Sequence, residues 1–221
     1  FQEVNIFSDP EIVELANQKI ANDNNAVWSR IINNRRVGYS LSYVKHYLDN
    51  LSPEFLFIRG DGNPKFSIQD AGQMYIWEIP FFIFGILVLF RKREGQWILI
   101  TVWILLGLVP AGVARETPHA LRIETILPTF QILTGYGLYH LISNFKLKPF
   151  VVGLIIIAAV FNFLYFVHNY FTHYPKEFSG EWQYGYKEAM KFINENESKY
   201  DKVHITQALG RPYIYFLFYS Q

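Results

Sequence analysis

The most prominent pattern in the chain is a series of four apolar segments that are separated by short charged turns. The segments cover approximately residues 75–90, 97–113, 118–142 and 150–170. A helix that crosses the hydrocarbon core of a bilayer needs about twenty predominantly apolar residues. The pattern therefore predicts a mainly α, polytopic membrane protein with four transmembrane helices. Pro110 is expected to kink or end the helix of the second segment, and the third segment carries Pro128 within its helix.

The region before the first apolar segment, residues 1–74, mixes polar and apolar positions and is predicted to form short helices. Asp9 followed by Pro10 has the form of an N-cap with proline in the first turn, which predicts a helix to about Ile20. Two further helices are predicted over Ala26–Asn33 and Val37–Asn50.

The last of these predicted helices carries an apolar stripe with tyrosines beside it. The apolar positions recur at spacings of four and three residues, which is the period of one helix face. They are Val37, Leu41, Val44, Leu48 and Leu51, and the tyrosines are Tyr39, Tyr43 and Tyr47. Tyrosine beside aliphatic residues suits a membrane interface, and the same stripe suits a helix packed on its own domain. The sequence leaves both interpretations open.

The segment after the last apolar run, residues 171–221, is predicted to be the truncated start of a small α/β domain. Residues 181–197 are typical of a helix, Val203–Thr206 of a strand, and Gly210-Arg-Pro-Tyr213 of a helix start. The chain begins at Phe1 and ends inside an apolar run. We therefore expect an internal to C-terminal fragment of a longer protein.

Basic residues concentrate in two of the short turns between apolar segments. They are Arg91, Lys92 and Arg93 in one turn, and Lys146 and Lys148 in the other. The positive-inside rule places these turns in the cytoplasm. Residues 1–74, the loop 114–122 and residues 171–221 then lie on the outer face. We expect a multi-pass protein of the cell membrane, of the kind found in the prokaryotic cytoplasmic membrane.

Composition narrows the possible chemistry. Of the 221 residues, 51% are hydrophobic and 18% aromatic, and the net charge is +1, so no global field attracts nucleic acid. The absence of cysteine excludes disulfides, thiol catalysis and cysteine-ligated zinc. The six histidines form no pair at helical ligand spacing, and no nucleotide or hydrolase motif is present. The sequence therefore predicts no metal site and no cofactor.

The loop 114–122 is the strongest candidate for a binding site. It contains four ionisable residues in a stretch of eight positions: Arg115, Glu116, His119 and Arg122. Thr117 followed by Pro118 predicts an N-cap and a helix that begins at the membrane surface. The free N–H groups of that helix would face the same space as the cations, an arrangement that attracts an anion such as phosphate.

Other charged residues are candidates for supporting this site. Glu124 lies one turn into the third apolar segment, and the turn 59–65 contributes Asp61 and Lys65. The alternative is that Arg115 and Arg122 extend to lipid headgroups, with Glu116 paired to one of them.

Several short pieces, taken in their order along nearly the whole chain, resemble the membrane-bound GT-C glycosyltransferases. The resemblance is to members that use a polyprenyl-phosphate-linked sugar, such as the protein O-mannosyltransferases and the lipid A aminoarabinose transferase. The pieces are Tyr47-Leu-x-x-Leu-Ser-Pro-Glu-Phe-Leu-Phe57, Gly60-Asp61, Gly72-Gln-Met-Tyr75, Pro118-His-Ala-Leu-Arg122 with Pro128, Trp182-x-Tyr-Gly-Tyr-Lys187 and Pro212-Tyr-Ile-Tyr215.

The resemblance implies a multi-pass enzyme that transfers a sugar from a polyprenyl-phosphate carrier to an acceptor at the outer membrane face. It implies that the catalytic acidic residue precedes this fragment, so no catalytic residue is assigned here. Arg115, His119 and Arg122 would hold the donor phosphate. A transporter or flippase for a lipid-linked sugar and a non-catalytic membrane scaffold remain alternatives.

Overall fold

A computed structural model describes residues 5–145, 148–207 and 210–219, and within these ranges the chain is mainly helical and contains no β-strand. The only extended pairing there is a single antiparallel bridge between Asn5 and Ala114. The chain forms two compact units, residues 1–163 and residues 164–221. The prediction of a mainly α protein is confirmed. Lys146 of the predicted basic turn lies outside the described residues.

Three helices follow one another at the start of the first unit: α1 (Pro10–Asn22), α2 (Val27–Ile32) and α3 (Arg35–Asp49). The cap predicted for α1 is confirmed, because Asp9 Oδ1 accepts the N–H of Glu11 at 3.1 Å and Pro10 opens the helix. A π-helical turn, Glu54–Ile58, follows α3.

The apolar part of the chain forms α4 (Ile79–Lys92), α5 (Trp97–Gly107), α6 (Val109–Gly112), α7 (Ala120–Ile123), α8 (Thr129–Phe145) and α9 (Pro149–His168). Helices lie in all four predicted segments. The third segment, 118–142, was predicted as one continuous helix, and this is wrong. Leu127 adopts an extended conformation before Pro128, which disfavours helix at the preceding residue, so α7 and α8 are separate.

One helical run in the described residues is long and apolar enough to cross a bilayer. It covers Pro149–Trp182, has a mean hydropathy of 2.6 in its most apolar window, and none of that window is buried. A shorter apolar helical run covers Trp97–Gly112. This supports an association with membrane at one helix.

The hydrophobic core of the first unit lies directly behind the charged loop. It joins the π-helical turn and Met74 to α6, α7 and the start of α8, and its buried members are Phe55, Leu56, Phe57, Met74, Leu108, Ala111, Ala120, Ile123, Ile126 and Phe130. Because α7 contributes Ala120 and Ile123 to this core, the position of the helix is set by apolar packing on one side.

The second unit contains α10 (Tyr174–Phe178), α11 (Tyr186–Asn196) and α12 (Pro212–Tyr219). The Tyr186 ring on α11 stacks on the Tyr215 ring on α12, with their centroids 4.6 Å apart. The predicted strand at 203–206 is wrong, and with it the assignment to an α/β domain. Residues 202–206 follow an irregular path with no strand in the structure, because a strand also needs a continuous backbone ladder with a neighbouring strand.

Helices α4 and α8 approach each other most closely at two glycines. A Cβ added to Gly85 would collide with the carbonyl oxygen of Leu133, and one added to Gly137 would collide with that of Phe81. Backbones come this close only where both surfaces lack a side chain, which is the typical use of glycine between apolar helices. Gly135 on α8 has nothing within 4 Å of its added Cβ and provides a matched control.

We expect Gly85→Ala and Gly137→Ala each to destabilise the protein by about 1–3 kcal/mol, because the added methyl group overpacks the helix contact. Gly135→Ala should be neutral or stabilising, since alanine favours helix by up to about 1 kcal/mol over glycine. The measurement is the thermal unfolding midpoint in detergent. Equal shifts of the midpoint in all three variants would show that close packing at Gly85 and Gly137 does not contribute to stability.

Candidate functional site

The charged loop begins where α6 ends and is held against α3 by side-chain contacts to its backbone. His46 Nδ1 lies 2.7 Å from the carbonyl oxygen of Ala114. Thr117 Oγ1 donates to the carbonyl oxygen of His46 at 3.2 Å. The N–H of Ile6 donates to the carbonyl oxygen of Val113 at 3.1 Å, next to the bridge with Asn5. The loop is therefore fixed on both sides by the region before α4.

The helix after the loop begins two residues later than the sequence predicts. Its N-cap is His119 and its first residue is Ala120, whereas Thr117 was predicted as the cap. The Thr117 hydroxyl donates to the carbonyl oxygen of His46 on α3, and Thr117 makes no cap hydrogen bond to α7. Two N–H groups at this helix start, those of His119 and Ala120, are already accepted by side chains from elsewhere and are not free to face an anion.

The first of these acceptors is Asn50, the C-cap residue of α3, which is fully buried. Its Oδ1 accepts the N–H of His119 at 2.9 Å. Its Nδ2 donates to the carbonyl oxygen of His46 at 2.7 Å, so the amide orientation is set by partners on both sides.

The second acceptor is Asp61, which is only 4% exposed. Its Oδ2 accepts the N–H of Ala120 at 2.7 Å, and its Oδ1 accepts the N–H of Asn63 at 2.8 Å. Gln69 Nε2 donates to the backbone carbonyl oxygen of Asp61 at 2.7 Å. Gly60 precedes it with φ of +74°, a conformation that favours glycine, and this turn carries the carboxylate inward.

His119 lies between the aromatic ring of Phe66 and the carboxylate of Asp61. The two rings are 4.9 Å apart between centroids, and His119 Nδ1 is 3.8 Å from Asp61 Oδ2. That separation is an ion-pair distance when the imidazole is protonated and is too long for a hydrogen bond. Nδ1 is buried and has no hydrogen-bond partner in the described chain. The structure thus brings together two predicted site residues, His119 and Asp61.

The two predicted arginines have different environments. Arg115 is exposed and its Nη2 lies 3.4 Å from Asp9 Oδ1, the N-cap carboxylate of α1. Arg122 is half-buried on α7, and its guanidinium has no hydrogen bond or ion pair within residues 5–145, 148–207 and 210–219. Arg122 is therefore the cation that is available to a ligand, whereas Arg115 already has a carboxylate partner.

The remaining predicted supporting residues lie at the surface. Glu116, Glu124 and Lys65 are exposed. In the part of the chain that the structure describes, no group of three histidine or acidic side chains is arranged to hold a metal ion.

Tyrosine 47 links the site to the apolar helices. The Tyr47 hydroxyl donates to the carbonyl oxygen of Leu105 on α5 at 2.8 Å. Burial, and secondarily the neighbouring Tyr43, raise the pKa of the Tyr47 phenol, so it remains a neutral donor over the physiological range. Helix α3, which supplies His46 and Asn50, is thereby fixed to the end of α5.

Sequence reasoning missed Asn50, Phe66 and Gln69, which position the site. A signal was present for part of this arrangement, since Gly60-Asp61-Gly62-Asn63 is a turn sequence in which aspartate accepts a backbone N–H two residues later. No local signal exists for the contacts of Asn50 and Asp61 with the start of α7, because their partners are 69 and 59 residues away.

No family model, curated protein or solved structure matches the chain.

We expect Asp61→Ala to lower the free energy of unfolding by about 1–3 kcal/mol, because it leaves the buried N–H of Ala120 without an acceptor. Asp70→Ala is the matched control, since Asp70 is an exposed aspartate of the same loop region, and its effect should stay within about 0.5 kcal/mol. Chemical denaturation of both variants checks this. Equal stability of the two would show that the Asp61 contact with α7 does not hold the helix.

Proposed function

We propose that the chain is part of an integral-membrane glycosyltransferase of the GT-C type, which transfers a sugar from a polyprenyl-phosphate carrier to an acceptor. The donor phosphate would bind beside α7, with Arg122 as its principal cation. The proposal combines the resemblance of the short sequence pieces with the arrangement of the charged loop. The catalytic base would come from a preceding region of the longer protein that the resemblance implies.

The observation that supports the proposal most directly is that the half-buried guanidinium of Arg122 has no ionic partner in the described residues. A half-buried guanidinium without an ionic partner is unusual, because partial burial removes hydration that nothing replaces. A phosphodiester monoanion supplies the missing partner, and arginine binds it through two parallel hydrogen bonds. Such an anion is what a polyprenyl-phosphate sugar presents at a membrane surface.

The buried groups around α7 would act as positioning residues. Asn50 and Asp61 accept the N–H groups of His119 and Ala120, so the backbone of α7 cannot rotate without losing one partly buried and one buried hydrogen bond. Arg122 lies on that helix, and its N–H donates to the carbonyl oxygen of His119. His119 would stand beside the phosphate as a second donor, with Asp61 as its counter-ion when it is protonated.

In the proposed reaction the acceptor nucleophile forms a bond to the anomeric carbon of the sugar. The bond from that carbon to the phosphate oxygen breaks, and its electron pair remains on the lipid phosphate as negative charge. The base takes the acceptor proton. Arg122 and His119 would stabilise the charge that develops on the leaving phosphate, which lowers the barrier of this step.

The proposal includes four membrane crossings, formed by α4, α5 with α6, α8 and α9. The charged surface of Arg91, Lys92 and Arg93, all exposed, would lie in the cytoplasm. The loop 114–122 and the region before α4 contact each other directly and would share the outer face.

The topology is tested by single cysteines, since the native chain has none. We expect Gly62→Cys and Glu188→Cys to react with a membrane-impermeant thiol reagent added outside, and Glu94→Cys to react only after permeabilisation. All three positions are exposed. Glu188 is chosen on α11 in place of the neighbouring Met190, whose side chain is buried and would not react. Outside labelling of position 94 with protection of the other two would reverse the orientation.

The site is tested by substitutions of Arg122 in the longer protein. A charge-assisted contact contributes roughly 1.5–3 kcal/mol, so Arg122→Ala should reduce sugar transfer from a polyprenyl-phosphate donor about ten- to a hundredfold. Arg122→Lys should restore only part of the rate, because lysine lacks the planar fork. Arg115→Ala should have the smaller effect, since its partner is Asp9.

The measurement is the transfer rate in membranes at matched expression. Near-wild-type rates for both Arg122→Ala and Arg115→Ala would remove the phosphate-site assignment and favour arginines that merely contact lipid headgroups. Movement of a lipid-linked sugar across the membrane without any transfer would favour the flippase alternative.

A further inference from the structure

Helix α2 presents its apolar side chains outward and its hydroxyl inward. Trp28 is 56% exposed and Ile31 is 66% exposed, whereas Ser29 is completely buried. Val27 and Ile32 are also exposed. We call Val27, Trp28, Ile31 and Ile32 the α2 apolar face. A helix that packs on a domain in water turns the opposite way, with the apolar side toward the core.

This inverted orientation is fixed by a polar cluster on the inner side. Asp23 Oδ2 accepts the Ser29 hydroxyl at 2.6 Å and Asn33 Nδ2 at 3.4 Å. Asn33 Nδ2 also donates to Ser29 Oγ at 3.0 Å. Rotation of α2 that buried its apolar face would break these bonds and expose or orphan their groups. The outward apolar face is therefore a built feature of the fold.

The apolar face is bordered by cations that have no internal partner. Arg30, Arg35 and Arg36 are exposed, and in the described part of the chain their guanidinium groups form no hydrogen bond or ion pair. Apolar side chains with a tryptophan, next to free arginines, match the two layers of a membrane interface: acyl chains below and anionic headgroups above.

Helix α3 extends the same chemistry toward the apolar helices. Leu41, Val44 and Leu48 of its apolar stripe are exposed, so these residues do not pack on their own domain. The helix is joined to α5 by the Tyr47 hydroxyl on the Leu105 carbonyl oxygen, and Tyr43 packs on Gly112 of α6. An element that ends on the proposed transmembrane helices lies where the bilayer surface is expected.

We propose that the α2 apolar face inserts into the outer layer of a bilayer that contains anionic lipids, with Arg30, Arg35 and Arg36 on the headgroups. The inference rests on the membrane location in the proposed function. It assigns to residues 27–36 a lipid-binding surface separate from the site around Arg122, and its occupant is lipid rather than the acceptor or another protein.

The test uses the protein with one introduced cysteine, labelled with an environment-sensitive fluorophore and reconstituted into phosphatidylcholine–phosphatidylglycerol vesicles with brominated acyl chains. Trp28→Cys and Ile31→Cys report on the α2 apolar face. Gln18→Cys, an exposed polar position on α1, is the matched control, and Leu99→Cys on α5 reports membrane embedding. We expect several-fold stronger quenching at 28 and 31 than at 18, and weaker quenching when the three arginines are changed to glutamine.

The outcomes separate this inference from the proposed function. Quenching at 99 with none at 28 and 31 beyond the control overturns the lipid-binding surface and leaves membrane embedding intact. Quenching at 28 and 31 without quenching at 99 supports a surface anchor and removes the proposed crossing by α5. No quenching at any of these positions overturns both. Crosslinking of a photoreactive group at position 28 to a polypeptide instead of lipid also overturns the inference.

Discussion

Two buried side-chain oxygens hold the start of α7, and the arrangement of the candidate site depends on them. Asn50 Oδ1 and Asp61 Oδ2 accept consecutive N–H groups, those of His119 and Ala120. A short helix cannot satisfy its first N–H groups internally, and an unsatisfied buried N–H costs about 1–3 kcal/mol. By supplying both acceptors, the segments before α4 fix the start of the four-residue helix that carries Arg122. The apolar core then closes the other side through Ala120 and Ile123.

The same two contacts show where sequence reasoning succeeds and where it stops. Asp9 with Pro10 was predicted correctly because cap and helix are adjacent, and the bond spans two residues. Asp61 was included as a supporting residue on charge alone, without its acceptor role. The role of Asn50 in the site was not predicted, because an asparagine at the end of an amphipathic helix is explained by local capping of that helix. Its partner is 69 residues away, and a single sequence contains no pattern that joins the two.

The apolar segments illustrate a second limit. Hydropathy located the helices well, since burial or lipid contact requires apolar residues wherever the helix lies. It could not show that the third segment is divided, because α7 and α8 are both apolar. A 3-10 turn, Glu124–Ile126, and the extended Leu127 before Pro128 separate them. The close contact of Gly85 with Gly137 was equally invisible. A glycine in an apolar helix can face open space, as Gly135 does, or can touch the backbone of another helix. Which of the two occurs depends on the tertiary packing and not on the local sequence.

The strand predicted at 203–206 is wrong for a related reason. β-Propensity describes how well a residue fits into a sheet, and the described residues of this region form no sheet.

The two arginines of the loop differ most clearly in their burial and in whether they have a carboxylate partner. Arg115 is exposed and faces Asp9 at 3.4 Å, so an approaching phosphate would compete with a carboxylate in a medium that screens both charges. Arg122 is half-buried and has no ionic partner in the described chain, so its field is less screened and no carboxylate must be displaced. A ligand anion therefore gains more at Arg122. The arginines near α2 differ again, because they are exposed and lie beside apolar side chains. An extended, fluid array of headgroups suits such a surface, whereas a single phosphate suits the fixed position of Arg122.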